Sequence, residues 1–339
     1  MIREAIVAVT AGRDLTEDEA AAAMDEIMSD QATPSQIGAL LIGLRMKGES
    51  TDEIAGMVRV MREKALRVQV DGPVLDVVST GGGSFDPLNI STAAALVCAG
   101  AGVKVAKHGN RGFTSASGAA DVLEALGAKI DLTPADAQTC LDKAGFVFLL
   151  APTYHPAMRF AGPTRREIGV RTIFNSLGPL TNPASAQHQL LGVGDPALVE
   201  KIARVLARLG TGKTLVVHGD DGLDEVTLSG PTRVFEVIGH DLRSYQLTPE
   251  DAGLARIPLD AVKTGTAAEN AGRIHSVFAG ASGPDRDYIL INAAAALVAA
   301  NRAAGVREGV AQAAAAIDSG AAARALSTYI SVSQGLGAT

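Results

Sequence analysis

Apolar residues recur at helical spacing through the first 65 residues of the chain. The spacing is clearest from Ile37 to Leu44 and again from Ile54 to Met61. Gly48 is placed to end the earlier of these two helices. Capping boxes mark helix starts by pairing Thr16 with Glu19, Thr33 with Gln36, and Ser50 with Glu53. Short linkers between them predict a small antiparallel helical bundle, which we assign to a domain spanning residues 1–70.

Strands alternate with helices from residue 71 onward. Short β-branched or strongly apolar runs predict strands at 74–78, 104–106, 146–150 and 214–218. This alternation predicts a larger α/β domain over residues 71–339, with a mainly parallel central sheet flanked by helices. Residues 152–183 have the pattern of an irregular or broken helix. We expect part of the segment 152–190 to pack against the N-terminal bundle.

The 339-residue chain has an ordinary globular composition, with 47% hydrophobic and 20% charged residues. Its formal net charge of −7 argues against a nucleic-acid partner, because domains that bind nucleic acid usually carry excess Lys and Arg. Cys98 and Cys140 sit among apolar neighbours without metal-ligand spacing, which indicates buried thiols in a reducing compartment. The N-terminus has no signal-peptide pattern, and no apolar run approaches the roughly 18 residues of a membrane span. We therefore expect a cytoplasmic protein without a membrane partner.

A glycine-rich loop, Ser79-Thr-Gly-Gly-Gly-Ser84, directly follows the first predicted strand. Consecutive glycines let the backbone approach a ligand closely and point several N–H groups at one anion. The next helix, which begins near Asn89-Ile-Ser-Thr92, adds its own free N–H groups and positive dipole end. These features suit a pyrophosphate, although such a loop taken alone is as readily a structural turn. The spacing matches neither the P-loop nor the dinucleotide-binding fingerprint.

A basic loop, Lys107-His-Gly-Asn-Arg111, follows the next predicted strand and leads into Thr114, Ser115 and Ser117. Cations, an amide and hydroxyls together are the donors that phosphate recognition requires. A solvated basic turn is the alternative, and the preceding glycine loop makes it less favoured. No partner for His108 can be assigned from the sequence, so we interpret this residue as positional.

An acidic turn, Gly219-Asp-Asp-Gly-Leu-Asp-Glu225, follows the last predicted strand. Mg²⁺ prefers oxygen ligands, and transfer from a pyrophosphate commonly needs a metal to neutralise the leaving group. We favour Asp224 and Glu225 over Asp220 and Asp221 as ligands. An acidic surface turn is the alternative interpretation.

A fourth polar stretch spans residues 165–183 and is interrupted by Gly and Pro. An Arg in this stretch could bind a carboxylate. The upstream Tyr154-His-Pro156 could line a channel for an aromatic acid. These two features point to an aromatic carboxylic acid as a second ligand.

These segments, in this order and spacing, resemble the anthranilate phosphoribosyltransferase family over nearly the whole chain. The most specific pieces are Asn89-Ile-Ser-Thr92, Lys107-His-Gly-Asn-Arg111, and Arg171-Thr-Ile-Phe-Asn175 followed by Leu177-Gly-Pro-Leu180. The resemblance implies transfer of the phosphoribosyl group of phosphoribosyl pyrophosphate (PRPP) to the amine of anthranilate, in tryptophan biosynthesis. It also implies a helical domain hinged to an α/β domain, and a homodimer formed through the helical domains.

The resemblance also implies site residues, carried over position by position. For PRPP they are Ser79, Gly82, Gly83, Asn89, Ser91, Thr92, Lys107, Asn110, Arg111, Ser115 and Ala119. For anthranilate they are Ser79, Asn110, His155, Arg165 and Gly178, with Arg165 at its carboxylate. Two Mg²⁺ ions are implied, one bound with help from Ser91 and one by Asp224 and Glu225. Lys107, Asp224 and Glu225 are the residues implied in catalysis.

The chain departs from the family at several of these positions. The family's loop usually reads Gly-Thr-Gly-Gly-Asp-Gly, whereas Ser79, Gly83 and Ser84 replace its first Gly, its Asp and its last Gly. Pro87 stands where a Thr is common, and Ala119 where a Ser often binds phosphate. These changes remove a carboxylate and two hydroxyl contacts from the expected donor site.

Two other functions stay open at this point. Pyrimidine nucleoside phosphorylases resemble this family in fold and carry a Ser-Thr-Gly-Gly loop, but metal-free phosphorolysis has no evident use for Asp224 and Glu225. A non-enzymatic relative that binds nucleic acid would need a basic groove, which the net charge of −7 disfavours.

Overall fold

The computed structural model describes residues 1–112 and 116–336. Its α-helices are α1 Ile2–Thr10, α2 Glu17–Met28, α3 Pro34–Lys47, α4 Thr51–Lys64, α5 Ile90–Gly100, α6 Ala119–Ala125, α7 Pro134–Ala144, α8 Ala151–Tyr154, α9 Gly162–Ile168, α10 Ile173–Leu177, α11 Pro196–Leu209, α12 Pro249–Ala252, α13 Ala267–Phe278, α14 Pro284–Ala299, α15 Val306–Asp318 and α16 Ala321–Gly335. Its strands are β1 Leu75–Ser79, β2 Val105–Gly109, β3 Phe146–Leu150, β4 His188–Gly192, β5 Thr211–Gly219, β6 Thr232–Gly239 and β7 Asp241–Leu247. Within these described ranges, no helix combines the length and apolar character that crossing a bilayer requires.

Helices α2, α3 and α4 begin where the capping boxes predict. In each, the Ncap hydroxyl accepts from the N3 backbone N–H, and the N3 side chain accepts from the Ncap N–H. At α4, for example, Glu53 N–H donates to Ser50 Oγ at 3.2 Å, and Ser50 N–H donates to Glu53 Oε2 at 2.7 Å. Gly48 ends α3 with a φ of 86°, which glycine adopts without steric cost. The predicted N-terminal helical bundle is confirmed.

The seven strands form one sheet in the order β3-β2-β1-β4-β5-β6-β7. The strands from β3 to β5 in that order pair in parallel, whereas β6 pairs antiparallel with both β5 and β7. The predicted α/β class with a mainly parallel sheet is confirmed, with an antiparallel addition at one edge. The sequence pattern does not predict β4, β6 or β7. β4 lacks β-branched residues, and β7 is a polar, mostly exposed edge strand.

Two hydrophobic cores lie on opposite faces of the sheet. One contains α5, α14 and the last two helices, and the other contains α11 and the N-terminal bundle. Neighbouring residues of β4 show the division, because Leu190 joins the first core and Leu191 the second. The bundle therefore joins this face of the sheet through α11, which contacts α4 as well as strands β5 and β6.

Residues 152–183 fold into short helices and 3₁₀ turns, as a broken helical pattern predicts. Helix α9 contacts α3, and α10 contacts α4. Ile173 and Leu177 of α10 consequently belong to the core shared with the bundle. The domain boundary between residues 70 and 71 stays a prediction.

Glu53 is a buried acid of the bundle, with 0% of its surface exposed. Its Oε1 accepts from the Leu15 N–H at 2.9 Å, and its Oε2 pairs with Lys47 Nζ at 3.0 Å. We expect Glu53→Ala to lower the free energy of unfolding by about 3 kcal/mol, because a buried cation and backbone donors lose their partner. Urea unfolding followed by circular dichroism measures this change.

Glu63→Ala is the matched control, since Glu63 lies exposed on the same helix. Its effect should stay below about 0.5 kcal/mol. Equal losses for the two variants would contradict the role assigned to Glu53.

Candidate active site

The carboxyl ends of β1, β2, β4 and β5 meet at one edge of the sheet. β1 lies between β2 and β4, so the strand order reverses direction there. Such a reversal opens a crevice outside the carboxyl ends, where α/β proteins bind ligands. Loops distant in sequence meet in this crevice: Ser91 N–H donates to Glu225 Oε1 at 3.2 Å.

Lys107 is a buried cation at this crevice, with 2% of its surface exposed. The predicted strand ends at residue 106, but β2 continues to Gly109, so Lys107 is held by the sheet itself. Its Nζ donates to Val77 O and, at 3.3 Å, to Ser91 Oγ. Burial lowers the pKa of Lys107, and the nearby carboxylates oppose that effect. A fixed positive charge therefore points at the N-terminus of α5.

Asp224 and Glu225 form a carboxylate pair with little access to solvent. Asp224 is 7% exposed, and Glu225 Oε2 is buried without a hydrogen-bond partner. Burial, reinforced by the neighbouring Asp224, raises the pKa of Glu225 to about 8. Burial also raises the pKa of Asp224, against the opposing influence of Ser79 and Arg171. A divalent cation would neutralise this pair and satisfy the free oxygen, so these residues fit Mg²⁺.

The glycine loop is closed against the acidic turn. Ser84 donates from its N–H to Gly222 O at 3.1 Å and from its Oγ to Asp221 O at 3.0 Å. Gly81 and Gly82 of the loop have φ values of 64° and 77°, in the left-handed region that favours glycine. An anchored backbone without Cβ atoms lets an anion approach its N–H groups closely.

Ser79, the last residue of β1, and Gly83, the last of the three consecutive glycines, both lie beside Asp224. Ser79 ends β1, and its hydrogen bond opposes the rise in the pKa of Asp224. A Cβ at Gly83 would lie 3.0 Å from Asp224 Oδ1 and 2.8 Å from Gly222 O. Glycine at position 83 is therefore required by the packing of the loop on the acidic turn.

Asn89, Ser91 and Thr92 lie at the start of α5. The Asn89 side chain is occupied, because its Oδ1 accepts from Asn270 Nδ2 at 2.9 Å and from Ser117 Oγ at 3.0 Å. Thr92 Oγ1, in contrast, is buried without a hydrogen-bond partner. A ligand oxygen at the helix N-terminus would satisfy this hydroxyl.

Asn110, Arg111 and Ala119 belong to the connection between β2 and α6. Asn110 is exposed, and its Oδ1 accepts from the Arg111 N–H at 2.8 Å. The Arg111 guanidinium forms ion pairs with two acidic side chains of α6, so it faces that helix rather than Lys107. Ala119 is the first residue of α6. Ser115 lies outside the described residues.

His155 and Gly178 both contact His108 on β2. The two imidazole rings are 5.1 Å apart between centroids, and His108 Nδ1 lies 3.2 Å from Gly178 O. Since a carbonyl only accepts, Nδ1 of His108 carries the proton and its Nε2 is an acceptor. The Nε2 atoms of both rings are buried without partners. Burial lowers the pKa of His108 to about 3 and that of His155 to about 4, so both rings are neutral near pH 7.

Arg165 of α9 is a partly buried cation in the segment packed on the bundle. Its guanidinium carbon lies 5.0 Å from the centre of the Phe174 ring. Burial lowers the pKa of Arg165. A carboxylate that reached this partly desolvated cation would bind more strongly than on an open surface.

Asp76, Asn182 and Arg171 were not assigned a site role from the sequence, although Arg171 lies in one of the motifs that carry the family resemblance. Asp76 is fully buried in β1 and accepts from His108 N–H at 3.0 Å and from Asn182 Nδ2 at 2.7 Å. Burial raises the pKa of Asp76 to about 6. A carboxylate inside an otherwise apolar strand was the available signal, because an acid is rarely buried without partners. Arg171 donates from Nη2 to Thr80 O at 2.8 Å, a contact that no local sequence pattern predicts.

Two family models match the chain. The helical bundle domain of the glycosyl transferase family matches residues 3–65, and the a/b domain of that family matches residues 71–323. The anthranilate phosphoribosyltransferase of Chloroflexus aggregans is 56% identical over 336 residues, which cover 98% of this chain and 99% of that protein. The chain belongs to the anthranilate phosphoribosyltransferase family. It is thus a phosphoribosyltransferase, and the resemblance inferred from its motifs is confirmed.

Solved structures of anthranilate phosphoribosyltransferases have the same fold. The Thermus thermophilus enzyme has a TM-score of 0.91 and 43% identity, over 97% of this chain and 99% of that chain. The Saccharomyces cerevisiae enzyme in complex with PRPP and Mg has a TM-score of 0.91 and 28% identity, over 99% of this chain and 98% of that chain. The Saccharomyces cerevisiae enzyme in complex with 4-fluoroanthranilate has a TM-score of 0.89 and 27% identity, over 99% of this chain and 98% of that chain.

The neutral buried histidines make stability depend on pH. The folded-state pKa values of His108 and His155, about 3 and about 4, lie below the ordinary value of 6.5. Between these limits the unfolded chain binds more protons than the folded chain. The free energy of unfolding contributed by these groups therefore falls as the pH decreases from about 6.5 toward about 4.

We expect the free energy of unfolding of His155→Gln to fall less steeply than that of the wild type as the pH decreases, because the contribution of His155 is removed. The measurement is urea unfolding at several values between about pH 7 and about pH 5, in the window set by the two pKa values. His275→Gln, at an exposed histidine, should keep the wild-type slope. A wild-type slope in His155→Gln would contradict the expectation.

Proposed function

We propose that this chain transfers the phosphoribosyl group of PRPP to the amine of anthranilate, with release of pyrophosphate, in tryptophan biosynthesis. The observation that carries the proposal is the partly buried network in which Ser91 contacts both Lys107 Nζ and Glu225 Oε1. It joins a cation, a hydroxyl and a carboxylate at a helix N-terminus, beside a glycine loop. A diphosphate with a bound cation suits this set of groups.

The proposed donor site follows the carboxyl ends of β1 and β2. The glycine loop and the start of α5 supply N–H groups to the diphosphate, and Thr92 Oγ1 supplies a free hydroxyl. The proposed PRPP-binding residues are Ser79, Gly82, Gly83, Asn89, Ser91, Thr92, Lys107, Asn110, Arg111, Ser115 and Ala119.

Two Mg²⁺ ions complete the proposed donor site, one held with help from Ser91 and one by Asp224 and Glu225. The unpartnered Oε2 of Glu225 supports this assignment. In the parts of the chain that the structure describes, no group of three or more His, Cys, Asp and Glu side chains is arranged to hold a metal. Phosphate and water oxygens would complete each coordination shell, as they do in many Mg²⁺ sites. When bound, Mg²⁺ neutralises charge on the diphosphate and improves pyrophosphate as a leaving group.

Lys107 stabilises the same developing charge from the protein side. Because the sheet holds its Nζ in place, little reorganisation is needed when the bond between ribose C1 and the diphosphate oxygen breaks. The anthranilate amine attacks C1 while positive charge builds on the ribose, and the nitrogen then releases one proton to water. An aromatic amine is uncharged near neutral pH, so a strong general base is unnecessary. Approach of the helical and α/β domains would orient both substrates and exclude water.

The proposed anthranilate site lies beside the donor site. Arg165 binds the carboxylate, Asn110 and Ser79 contact the acceptor near the donor, and His155 and Gly178 line its channel. The Nε2 atom of the neutral His155 ring has no hydrogen-bond partner, which leaves it free to bond a polar group of the acceptor substrate.

The proposed helical domain covers residues 1–70 with part of 152–190 packed against it, and the α/β domain covers 71–339. We further propose a homodimer through the helical domains. Large apolar side chains at its surface support this, because Val7 of α1 is 68% exposed and Met46 of α3 is 84% exposed. Covering such side chains stabilises an interface.

The proposed activity is tested by following the loss of anthranilate fluorescence after PRPP is added, with and without Mg²⁺. We expect a decay that needs both, and chelation of the metal should stop it. Phosphate-dependent cleavage of thymidine or uridine without this decay would instead support a phosphorylase.

Lys107→Met should slow this reaction without unfolding the protein. Removal of one preorganised charge-stabilising donor raises the barrier by roughly 2–4 kcal/mol, which lowers kcat/KM by about 30- to 1000-fold. Lys143→Met, at an exposed lysine of α7, is the control and should retain wild-type turnover. Unchanged turnover in folded Lys107→Met would rule out the proposed role of Lys107.

Met46→Glu should weaken the proposed dimer, because it places a charge in an apolar interface. Light scattering coupled to size-exclusion chromatography measures the mass of each variant. We expect a dimer for the wild type and a shift toward monomer for Met46→Glu. Tyr245→Glu, on the exposed edge strand β7, should remain dimeric. A wild-type monomer would refute the dimer without affecting the activity proposal.

A further inference from the structure

Arg171 lies between α9 and α10, and its guanidinium reaches the glycine loop after β1. Its Nη2 donates to Thr80 O at 2.8 Å. The helices on either side of it contact α3 and α4 of the bundle. This side chain therefore connects a segment packed on the bundle with the loop proposed to bind the diphosphate.

The guanidinium occupies the space that a side chain at Gly82 would need. A Cβ there would lie 2.5 Å from Arg171 Cζ and 2.8 Å from Nε, and nearer still to Nη1. Gly82 also has a φ of 77°, which strains any residue with a Cβ. Two independent constraints thus demand glycine at this position, and one of them is contact with Arg171.

Opposing influences act on the charge of Arg171. Burial lowers the pKa of Arg171 and Arg45 of α3 acts in the same direction, whereas Asp224 and Asp195 favour the charged form. Asp224 is one of the two carboxylates proposed to bind Mg²⁺. Arg171 is therefore a partly desolvated cation beside the glycine loop, and the charge of Asp224 favours its protonated form.

Other hydrogen bonds hold the glycine loop mainly at its ends. Thr80 N–H donates to Gly192 O at 2.9 Å, and Ser84 N–H donates to Gly222 O at 3.1 Å. In the described residues, Arg171 is the one charged side chain that donates a hydrogen bond to residues 80–84. The guanidinium is thus one of the contacts that fix the central glycines, together with Gly194, which packs on their backbone, and the Ser79 hydroxyl, which accepts from the Gly81 N–H.

We propose that Arg171 is a positioning residue for the diphosphate of the donor. It holds the glycine loop in the shape that presents its N–H groups to the phosphates. The inference rests on the proposed function, since it concerns the same donor site. Arg171 touches no reacting atom in this scheme, so its loss weakens donor binding while the anthranilate site, built from other residues, stays intact.

Isothermal calorimetry of PRPP with Mg²⁺, in the absence of anthranilate, tests this directly. Loss of a charge-assisted hydrogen bond should raise the dissociation constant of Arg171→Met by about 10- to 100-fold. Steady-state kinetics should show the KM for PRPP rising by a similar factor, with the KM for anthranilate nearly unchanged. Arg171→Lys keeps the charge but loses the planar contact, so it should recover only part of the affinity.

Arg166→Met is the matched control, because Arg166 is an exposed arginine of the same segment. Its PRPP affinity should stay within about twofold of the wild type. A double-mutant cycle with Gly82→Ala separates a specific contact from general loosening. If Arg171 acts through the glycine loop, Arg171→Met should add little to the loss already caused by Gly82→Ala.

Wild-type affinity in folded Arg171→Met would overturn the inference, and so would an equal rise in both KM values. Fully additive effects of Arg171→Met and Gly82→Ala would also count against it. If Arg171→Met fails to fold, Arg171→Lys and Gly82→Ala carry the test. Failure of the wild-type protein to bind PRPP would refute the proposed function instead, before any variant is compared.

Discussion

The buried ammonium of Lys107, at the carboxyl ends of the parallel strands, is the constraint on which the rest of the site depends. Removing the charge of Lys107 from water is costly unless acceptors and opposite charges surround it. Val77 O, Ser91 Oγ and the nearby carboxylates of Asp76 and Glu225 meet that requirement. Those partners come from β1, α5 and the turn after β5. Burial of one lysine therefore brings together a strand, the start of a helix and a turn, of which Glu225 in the turn is 134 residues from Ser91.

The groups proposed to bind the two substrates originate from two parts of the molecule. Lys107 and Ser91 stand on the sheet and on the helix packed against it, whereas Arg165, Arg171 and Gly178 belong to the segment that packs on the bundle. The two sets meet where the segment 152–183 reaches the carboxyl ends of the strands. Arg171 contacts Thr80 there, and Gly178 contacts His108. A diphosphate needs the rigid strand ends, while an aromatic acid needs a channel between packed helices.

Local chemistry made much of this molecule predictable. Capping boxes depend on residues three apart, and a strand followed by glycines needs no distant partner, so the helix starts and the glycine loop were readable from sequence. Asp76 and Arg171 were not, because their partners Asn182 and Thr80 are 106 and 91 residues away. The edge strand β7 was not predicted, for a different reason. It is polar and mostly exposed, and pairing with β6 rather than burial of a hydrophobic face holds it in place.

The departures from the family's glycine loop form a consistent set when viewed as packing and charge. An Asp in place of Gly83 would put its Cβ 3.0 Å from Asp224 Oδ1 and add a carboxylate beside a pair that already repels itself. That repulsion contributes to the raised pKa of Glu225, so a third acid would deepen the existing cost. Ser84 instead closes the loop with two hydrogen bonds to the acidic turn. The loop thus exchanges a charge for neutral contacts, which leaves its backbone N–H groups and the cations around them to hold the proposed diphosphate.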